Sequence, residues 1–110
     1  MNFKTMKENG IMDIRYENSI LDASNSDEFK NDILRVIAEN KKIALDLSEV
    51  SFVDSSGCGA LLFCLRNLAA KECELKLYGV QQPVRLLFEL VRMHRVVDIL
   101  NTREEVLQLF

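Results

Sequence analysis

One stretch of the chain decides the fold: Ile43-Ala-Leu-Asp-Leu-Ser-Glu-Val-Ser-Phe-Val53, followed by Asp54-Ser-Ser-Gly-Cys-Gly59 and an apolar run that ends at Leu68. From Ile43 to Ser48, large apolar side chains alternate with small or polar ones, which is typical of a β-strand, and the strand-like run continues to Val53. The apolar run after the glycines is typical of a helix. The stretch therefore predicts a strand that delivers two hydroxyls, those of Ser55 and Ser56, to the beginning of a helix.

The two serines have two interpretations at this position. Serine is among the preferred N-cap residues, so either hydroxyl could simply cap the helix. The first backbone N–H groups of a helix lack intrahelical partners and the helix dipole is positive there, so a serine at this point is equally suited to carrying a phosphate. The residues alone leave both interpretations open.

Gly57 and Gly59 fall in the predicted first helical turn. Each costs about 1 kcal/mol relative to alanine in a helix, so another requirement must favour the missing side chains. Close approach of a second backbone would supply that requirement. We expect this backbone to be either a neighbouring strand of the same domain or a protein partner resting on the helix end.

The composition indicates one globular domain over residues 1–110. A chain of 110 residues with 48% hydrophobic residues is long enough to bury a core without disulfides or metals. Its net charge of −3 gives no overall basic field of the kind that nucleic-acid binding uses. Binding to nucleic acid is therefore not expected.

Location and cofactors are predicted from what the sequence contains. No apolar stretch approaches the roughly 18 residues of a membrane span, and the first residues lack a signal-peptide core, so we expect a cytoplasmic protein with no direct membrane insertion. Cys58, Cys64 and Cys73 form no C-x-x-C pair, and His94 is the single histidine. We expect no metal, cofactor or disulfide, and interpret the cysteines as small, semi-buried hydrophobic residues.

The N-terminal third predicts a hairpin and a helix. Asn9-Gly10 supplies the positive φ angles of a tight turn between strands at Phe3 to Lys7 and Ile11 to Tyr16. An amphipathic helix follows after several candidate caps. Its stripe consists of Phe29, Ile33, Val36, Ile37 and Asn40.

The remaining elements complete an α/β domain. Alternation at Leu75 and Leu77 predicts a strand with one polar face, which places the helices mainly on the other face. Pro83 suits the first turn of a third helix, and a less secure strand is predicted at Val96 to Leu100. The third helix carries a stripe of Val84, Leu87, Phe88 and Val91. Thr102 and Glu105 have capping-box spacing before a short last helix that should dock on the core. The predicted fold is a mixed sheet of about five strands with about four helices.

Two further surfaces have open interpretations. The second helix carries more apolar residues than one stripe needs, so Leu62 or Phe63 could form a patch with Cys58 if it faced solvent. A basic group surrounds the third helix and is interpreted as solvated charges that complement the helix dipole, with phosphate binding as a minor alternative. Its members are Arg85, Arg92, His94 and Arg95.

Enzymatic classes fit poorly. A serine hydrolase requires a glycine two residues before its nucleophile, and Val53 occupies that position relative to Ser55. A phospho-aspartate receiver requires an acidic pair after its first strand to hold magnesium, and this chain has none there. We therefore expect a protein without catalytic activity.

The chain resembles the STAS domain family, and within it the bacterial anti-sigma-factor antagonists. The most specific motif is Val53-Asp54-Ser55-Ser56-Gly57. Ile20-Leu21-Asp22-Ala23 before the first helix and the segment from Gln82 to Phe88 support it. The sequence departs from the family pattern at Cys58, where a branched aliphatic residue is usual, and at Asn18-Ser19-Ile20, where a glycine is usual.

The resemblance implies a partner-switching role. An anti-sigma factor that is also a serine kinase would phosphorylate Ser55, while Ser56 would cap the helix. The unphosphorylated protein would bind the anti-sigma factor, phosphorylation would release it, and a phosphatase would reset the cycle. The expected partner-binding residues are Asp22, Asp54, Ser55, Ser56, Gly57, Cys58, Leu61 and Leu62. The alternative is a constitutive STAS binding module, such as a soluble accessory subunit of a transporter or signalling complex, in which Ser55 only caps.

Overall fold

A computed structural model describes residues 2–37 and 40–110, which form seven strands and four α-helices. The strands are Phe3–Glu8 (β1), Ile11–Tyr16 (β2), Ile20–Leu21 (β3), Lys42–Asp46 (β4), Phe52–Val53 (β5), Glu74–Tyr78 (β6) and Asp98–Leu100 (β7). The helices are Ser26–Ile37 (α1), Ser55–Ala70 (α2), Gln82–Leu90 (α3) and Arg103–Leu109 (α4). A short 3-10 turn, Met93–Arg95, joins α3 to β7.

The main sheet is mixed, as the sequence predicts. Its strand order is β1-β2-β4-β6-β7, with β1 antiparallel to β2 and every other pair parallel. The hairpin between β1 and β2 turns at Asn9 and Gly10, whose φ angles are 53° and 77°. Both lie in the left-handed region that asparagine and glycine tolerate, so the predicted turn is confirmed.

A second, two-stranded sheet corrects the predicted strand from Ile43 to Val53. The chain leaves β4 after Asp46, whose carboxylate accepts the Ser48 N–H at 2.8 Å. After this turn the chain resumes as β5, which pairs in parallel with β3. The regular alternation ends at Ser48, but the apolar residues Leu47 and Val50 on the two sides of the turn are both buried. The apolar run therefore concealed the break.

One face of the main sheet, here called the inner face, is covered by α1, α2 and α3. Its main core contains buried residues from these three helices and from the strands β2, β4 and β6. The largest of them include Ile14, Ile43, Leu45, Leu77, Phe29, Ile33, Leu61, Leu68 and Phe88. Three of the four helices thus lie on one face, in agreement with the predicted architecture.

Two residues of the predicted helical stripes pack differently from expectation. Val91 is 48% exposed because α3 ends at Leu90. Asn40 lies beyond the last described residue of α1 and is buried, and its side-chain amide donates to the Val36 carbonyl at 2.9 Å. Whether the helix continues to Asn40 as predicted involves residues 38 and 39, which lie outside the described part of the chain.

The opposite, outer face of the sheet carries α4 and a separate, smaller core. Val106 of α4 is fully buried against Ile11, Ala44 and Tyr78. The last helix therefore docks on this second cluster and not on the main core as expected. Its cap is confirmed, since the Thr102 hydroxyl accepts the Glu105 N–H at 3.2 Å.

Within residues 2–37 and 40–110, no helix combines the length and the apolar character needed to cross a membrane.

Candidate functional site

The small β3–β5 sheet fixes the beginning of α2. The Ser51 N–H donates to the Ser19 carbonyl at 2.8 Å, and the Asp54 N–H donates to the Leu21 carbonyl at 3.3 Å. These bonds hold the residue before the helix against the residue that ends β3. The helix therefore begins at a point set by backbone contacts, independently of its exposed side chains.

Gly57 is required by the close approach of β3. A Cβ atom at this position would lie 2.3 Å from the Leu21 carbonyl oxygen and 2.8 Å from Val53 Cγ1. The approaching backbone therefore belongs to the same domain, which is the first of the two alternatives that the sequence left open. Gly59 is exposed, and a Cβ there would have no neighbour within 4 Å. Nothing in the structure requires a glycine at position 59.

Asp54 caps α2, which corrects the role expected for the serines. Its Oδ1 atom accepts the Gly57 N–H at 2.9 Å, and its Oδ2 atom accepts the Ala23 N–H at 3.2 Å. The backbone of Asp54 is extended, with φ −103° and ψ −172°, whereas Ser55 and Ser56 already occupy the first two helical positions. Because aspartate is as good a cap as serine, it satisfies the orphan donor and leaves both hydroxyls unused.

Ser55 and Ser56 are both exposed at the helix start. Within the described part of the chain, neither hydroxyl makes a hydrogen bond to another residue. Modification of either side chain would therefore break no internal hydrogen bond. The structure brings two accessible nucleophilic hydroxyls to the positive end of a 16-residue helix.

Asp22 supplies a second carboxylate to the rim of the site. Its Oδ1 atom accepts the Ser24 N–H at 2.9 Å and the Ser24 hydroxyl at 2.5 Å. The next residue, Ala23, donates to Asp54, so the loop that carries Asp22 is tied to the helix cap. Asp54 thus places one carboxylate at the start of α2, and Asp22 holds a second one in the loop tied to it.

Five of the eight expected partner-binding residues are accessible. Asp22, Asp54 and Leu62 are partly exposed, and both serines are exposed. Gly57, Cys58 and Leu61 are buried, with 5% exposure for Cys58 and 1% for Leu61, because their positions on α2 face the core. The side chains of Cys58 and Leu61 pack into the core beneath α2, and none of the three residues forms part of the accessible surface.

The three cysteines are free thiols, and two of them are buried. Burial, and to a smaller extent the nearby Asp54 carboxylate, raises the pKa of the Cys58 thiol. Burial also raises the pKa of Cys64 to about 12. Both thiols therefore stay protonated at neutral pH and act as small hydrophobic residues, as the sequence predicts.

The alternative of an apolar patch that includes Cys58 is excluded, because Cys58 is buried. Phe63 is 43% exposed, and the Lys30 ammonium lies 5.2 Å from its ring centroid. A different exposed apolar pair lies beside the helix start: Ile20 and Phe52, register partners in the small sheet, are 40% and 53% exposed. This exposed pair was not predicted from the sequence. Each of its residues precedes a buried residue in a two-residue strand, Leu21 in β3 and Val53 in β5.

The basic group near α3 consists of separate, solvated charges. Arg92, His94 and Arg95 are exposed, and the Arg85 guanidinium donates to the Asn101 side chain at 3.2 Å. Because α3 ends at Leu90, its last turn contains no basic residue. The solvated interpretation is confirmed, whereas the expected complement to the dipole of α3 is wrong.

Comparison with known proteins identifies the family. Residues 2–106 match the sequence model of the STAS domain. The chain belongs to the STAS domain family. Over 69 residues it is 30% identical to an anti-sigma-B factor antagonist of Listeria monocytogenes, a match that spans 63% of this chain and 60% of that protein.

Two solved structures share the STAS fold of this chain. The Bacillus cell fate determinant SpoIIAA in its phosphorylated form is 24% identical with a TM-score of 0.70, and the match covers 96% of each chain. The mouse anion transporter Slc26a9 is 17% identical with a TM-score of 0.83, covering 94% of this chain but 18% of the transporter. At these identities the likeness shows the fold alone.

Proposed function

We propose that this STAS domain is an anti-sigma-factor antagonist that acts by binding a protein and not by catalysis. In its unphosphorylated state it binds an anti-sigma factor that is also a serine kinase, and phosphorylation of Ser55 releases it. A phosphatase acting on phosphorylated Ser55 resets the switch, and the cycle takes place in the cytoplasm. The name of the Listeria relative and the phosphorylated form of SpoIIAA support this proposal.

The observation that carries the proposal is that Asp54, and not Ser55, caps the helix. Asp54 satisfies the Gly57 N–H with its side chain, so Ser55 is not needed for the helix cap. The Ser55 hydroxyl is exposed at the first helical position, where a kinase can reach it. Selection for stability alone would not require a hydroxyl here, whereas a phosphorylation switch does.

Charge provides the release mechanism. A phosphoserine adds about −1.5 to −2 charges at neutral pH. At position 55 these charges join the carboxylates of Asp54 and Asp22 within one accessible surface. A partner that accepts this surface in the unmodified protein would have to desolvate or oppose the added charge, which weakens binding. The positive end of α2 stabilises the phosphate within the domain, so the fold persists.

The exposed pair Ile20 and Phe52 extends the proposed contact surface. Both lie in the small sheet whose second strand leads directly to Asp54 and α2. An interface that buries them would combine an apolar centre with a charged, switchable margin, which is the usual arrangement of protein interfaces. The apolar contact of Ile20 and Phe52 would thus provide the binding energy, and phosphorylation of Ser55 would control the affinity.

The test is phosphorylation by each anti-sigma-type kinase encoded in the source genome. Wild type, Ser55→Ala and Ser56→Ala are incubated with kinase and ATP, and intact mass is measured. Wild type and Ser56→Ala should gain one phosphate, and Ser55→Ala should gain none. Ser56→Ala is the matched control because it removes an equally exposed hydroxyl one residue away. Phosphorylation confined to Ser56 would contradict the assignment of Ser55.

The mouse transporter favours a second candidate, a constitutive STAS module that belongs to a transporter or signalling complex. In that case Ser55 is an exposed residue without a switching role. The two functions differ in how a verified partner responds to phosphorylation. A partner that binds the phosphorylated and unmodified proteins equally tightly supports the constitutive module.

A further inference from the structure

The outer face of the sheet contains a row of polar residues at the ends of three parallel strands. Arg15, Asp46 and Tyr78 are register partners in β2, β4 and β6, and each is the last or penultimate residue of its strand. On the other side, Lys4 of β1 is the register partner of Arg15. The row therefore lies on the outer face of the sheet, close to the carboxyl edge of its parallel strands.

A cleft of about 290 Å³ lies over this row. The row forms its base, and Met6 and Arg103 contribute to its walls. Met6 is 56% exposed and, as the register partner of Asp13, lies on the same side of the sheet as Lys4. The cleft therefore combines an apolar wall with charged groups at its base, which is typical of small-molecule sites.

The carboxylates that face the cleft already have partners. Asp13 accepts the Tyr78 hydroxyl at 2.9 Å and the Arg103 Nε–H at 2.6 Å. Asp46 accepts the Arg15 Nε–H at 3.3 Å and the Ser48 N–H at 2.8 Å. Their negative charge is therefore largely compensated within the protein.

The cations are less completely compensated. Arg15 makes its ion pair through Nε, and its side chain is 48% exposed. Among the residues that the structure describes, Lys4 makes no ion pair. Three cations and two carboxylates line the cleft, and Arg103 also pairs with the carboxylate of Glu8. Arg103 is therefore fully compensated, whereas Lys4 and the outer guanidinium nitrogens of Arg15 have no carboxylate partner among the described residues.

The pairing of Lys4 with Arg15 is unfavourable in the fold itself. Like charges directly opposite each other on antiparallel strands destabilise a sheet by several tenths of a kcal/mol. An anion placed between the two side chains reverses the sign of this interaction and gains charge-assisted hydrogen bonds from both. A bound anion would therefore stabilise the arrangement of these two neighbouring donors.

We propose that this cleft binds a small organic anion with one carboxylate or phosphate group. The anionic group lies between the Lys4 ammonium and the Arg15 guanidinium, and the apolar part lies against Met6. The volume is at the lower end of the range of about 300 to 1,000 Å³ for ligand pockets, which suits a compact ligand and is too small for a nucleotide. The site is on the sheet face opposite α2, so it is independent of the proposed switch.

The test is an NMR titration of the whole chain, labelled with ¹⁵N, using four probes. Benzoate and phenyl phosphate carry both the charge and an apolar ring, inorganic phosphate carries only charge, and benzyl alcohol carries only the ring. Both organic anions, or one of them, should give saturable shifts at Lys4, Arg15 and Tyr78 with a Kd on the order of 1 mM. Which of the two binds more tightly distinguishes a carboxylate site from a phosphate site.

Lys4→Gln should weaken binding of the organic anion about tenfold, as expected for the loss of one charge-assisted contact. Lys7→Gln is the matched control, because Lys7 is an exposed lysine on the same strand whose register partner, Met12, belongs to the other side of the sheet. This variant should leave Kd unchanged within about twofold. Because Lys4 is exposed and has no ion pair among the described residues, the fold should tolerate its loss.

Three results would overturn the proposal. One is the lack of saturable shifts with either organic anion up to about 20 mM. Another is equal affinity of wild type and Lys4→Gln, which would remove the charge contact. The third is binding of inorganic phosphate or benzyl alcohol as tightly as the organic anions, which would show that the cleft does not recognise charge and apolar surface together.

Discussion

The two faces of the main sheet are stabilised by different interactions. The inner face is covered by three helices and packed almost entirely with apolar side chains. The outer face carries one short helix, a cluster of four buried residues and a set of ion pairs that involve Asp13, Asp46 and Arg103. Apolar packing has no charge that salt can screen or pH can titrate, whereas partly exposed ion pairs respond to both.

The two regions differ in whether the residues that stabilise the structure are also the ones exposed for function. At the start of α2, backbone contacts and buried residues hold the helix, so the exposed serines are available for modification. On the outer face the buried Val106 and the ion pairs of Arg103 together hold α4 against the sheet, and Arg103 also lines the cleft. We expect substitutions to destabilise the first region through steric overlap and the second through lost charge interactions.

The largest expected effect comes from Gly57→Ala. The added methyl group would lie 2.3 Å from the Leu21 carbonyl oxygen, so β3 or α2 must move. Because the obstacle is backbone within a packed core, we expect a loss of about 3 kcal/mol or more in the free energy of unfolding. Urea denaturation followed by circular dichroism measures this loss.

Gly59→Ala is the matched control for this prediction. It adds the same methyl group two residues along the helix, where no atom lies within 4 Å. Because alanine favours a helix over glycine, the variant should be more stable by up to about 1 kcal/mol. Equal stability of the two variants would show that the contact between Gly57 and β3 does not fix the helix start.

The sequence predicts the elements of the inner face well because their apolar side chains repeat at helical or strand spacing. The stripe of α1, the hairpin at Asn9-Gly10 and the position of Pro83 in the first turn of α3 all rest on such local rules. The break between β4 and β5 was missed because apolar residues, Leu47 and Val50, are buried on both sides of the turn. A run of apolar residues indicates burial, and it does not distinguish a continuous strand from two strands joined by a tight turn.

The sequence predicted where the candidate site lies in the chain, but not which residue caps the helix there. The motif located the exposed serines and the capped helix, and the need for a close backbone at Gly57 is confirmed. The identity of the cap was not predicted, since aspartate and serine have similar cap preferences and the choice depends on the backbone angles of Asp54. The outer cleft was also missed, because it joins β1, β2, β4, β6 and α4, whose alignment depends on strand order.

A smaller effect is expected from Asp54→Ala. This change removes the hydrogen bonds to the Gly57 and Ala23 N–H groups, so the cap and the adjoining loop both lose a partner. We expect a loss of about 0.5 to 2 kcal/mol in thermal or urea unfolding. Ser56→Ala is the control and should change stability by less than about 0.5 kcal/mol. A larger loss for Ser56→Ala than for Asp54→Ala would reassign the cap.

On the outer face, Arg103→Gln should have a smaller effect that depends on salt. Hydrogen bonds to Glu8 and Asp13 raise the pKa of Arg103, so these carboxylates stabilise its charged form. Its side chain is 30% exposed, which limits the expected loss to about 1 kcal/mol at low salt. The loss should shrink in 1 M NaCl, where the Debye length is about 3 Å.

Arg66→Gln is the control for the ion-pair prediction, because Arg66 is exposed on α2 and makes no ion pair among the described residues. It should change stability by less than about 0.5 kcal/mol at either salt concentration. A loss for Arg103→Gln that is independent of salt would indicate that the side chain holds α4 by packing and not by charge.

The smallest effect on folding is expected at Ser55, and it separates the switch from the cap. Because Asp54 caps the helix, both Ser55→Ala and Ser55→Asp should unfold within about 0.5 kcal/mol of wild type. An aspartate at the first helical position is even slightly favourable, since the helix dipole attracts negative charge there. Thermal melts of the two variants should therefore nearly coincide.

The same two variants should nevertheless differ in their affinity for the partner. Ser55→Ala keeps the uncharged surface and should bind the anti-sigma-type kinase as wild type does. Ser55→Asp places a fixed negative charge beside Asp54 and should bind more weakly, because the partner must desolvate or oppose that charge. Calorimetric titration measures both affinities. Since aspartate carries less charge than phosphoserine, phosphorylated wild type should bind more weakly still. If the phosphorylated protein instead binds as tightly as the unmodified one, Ser55 does not control the interaction and the domain acts as a constitutive binding module.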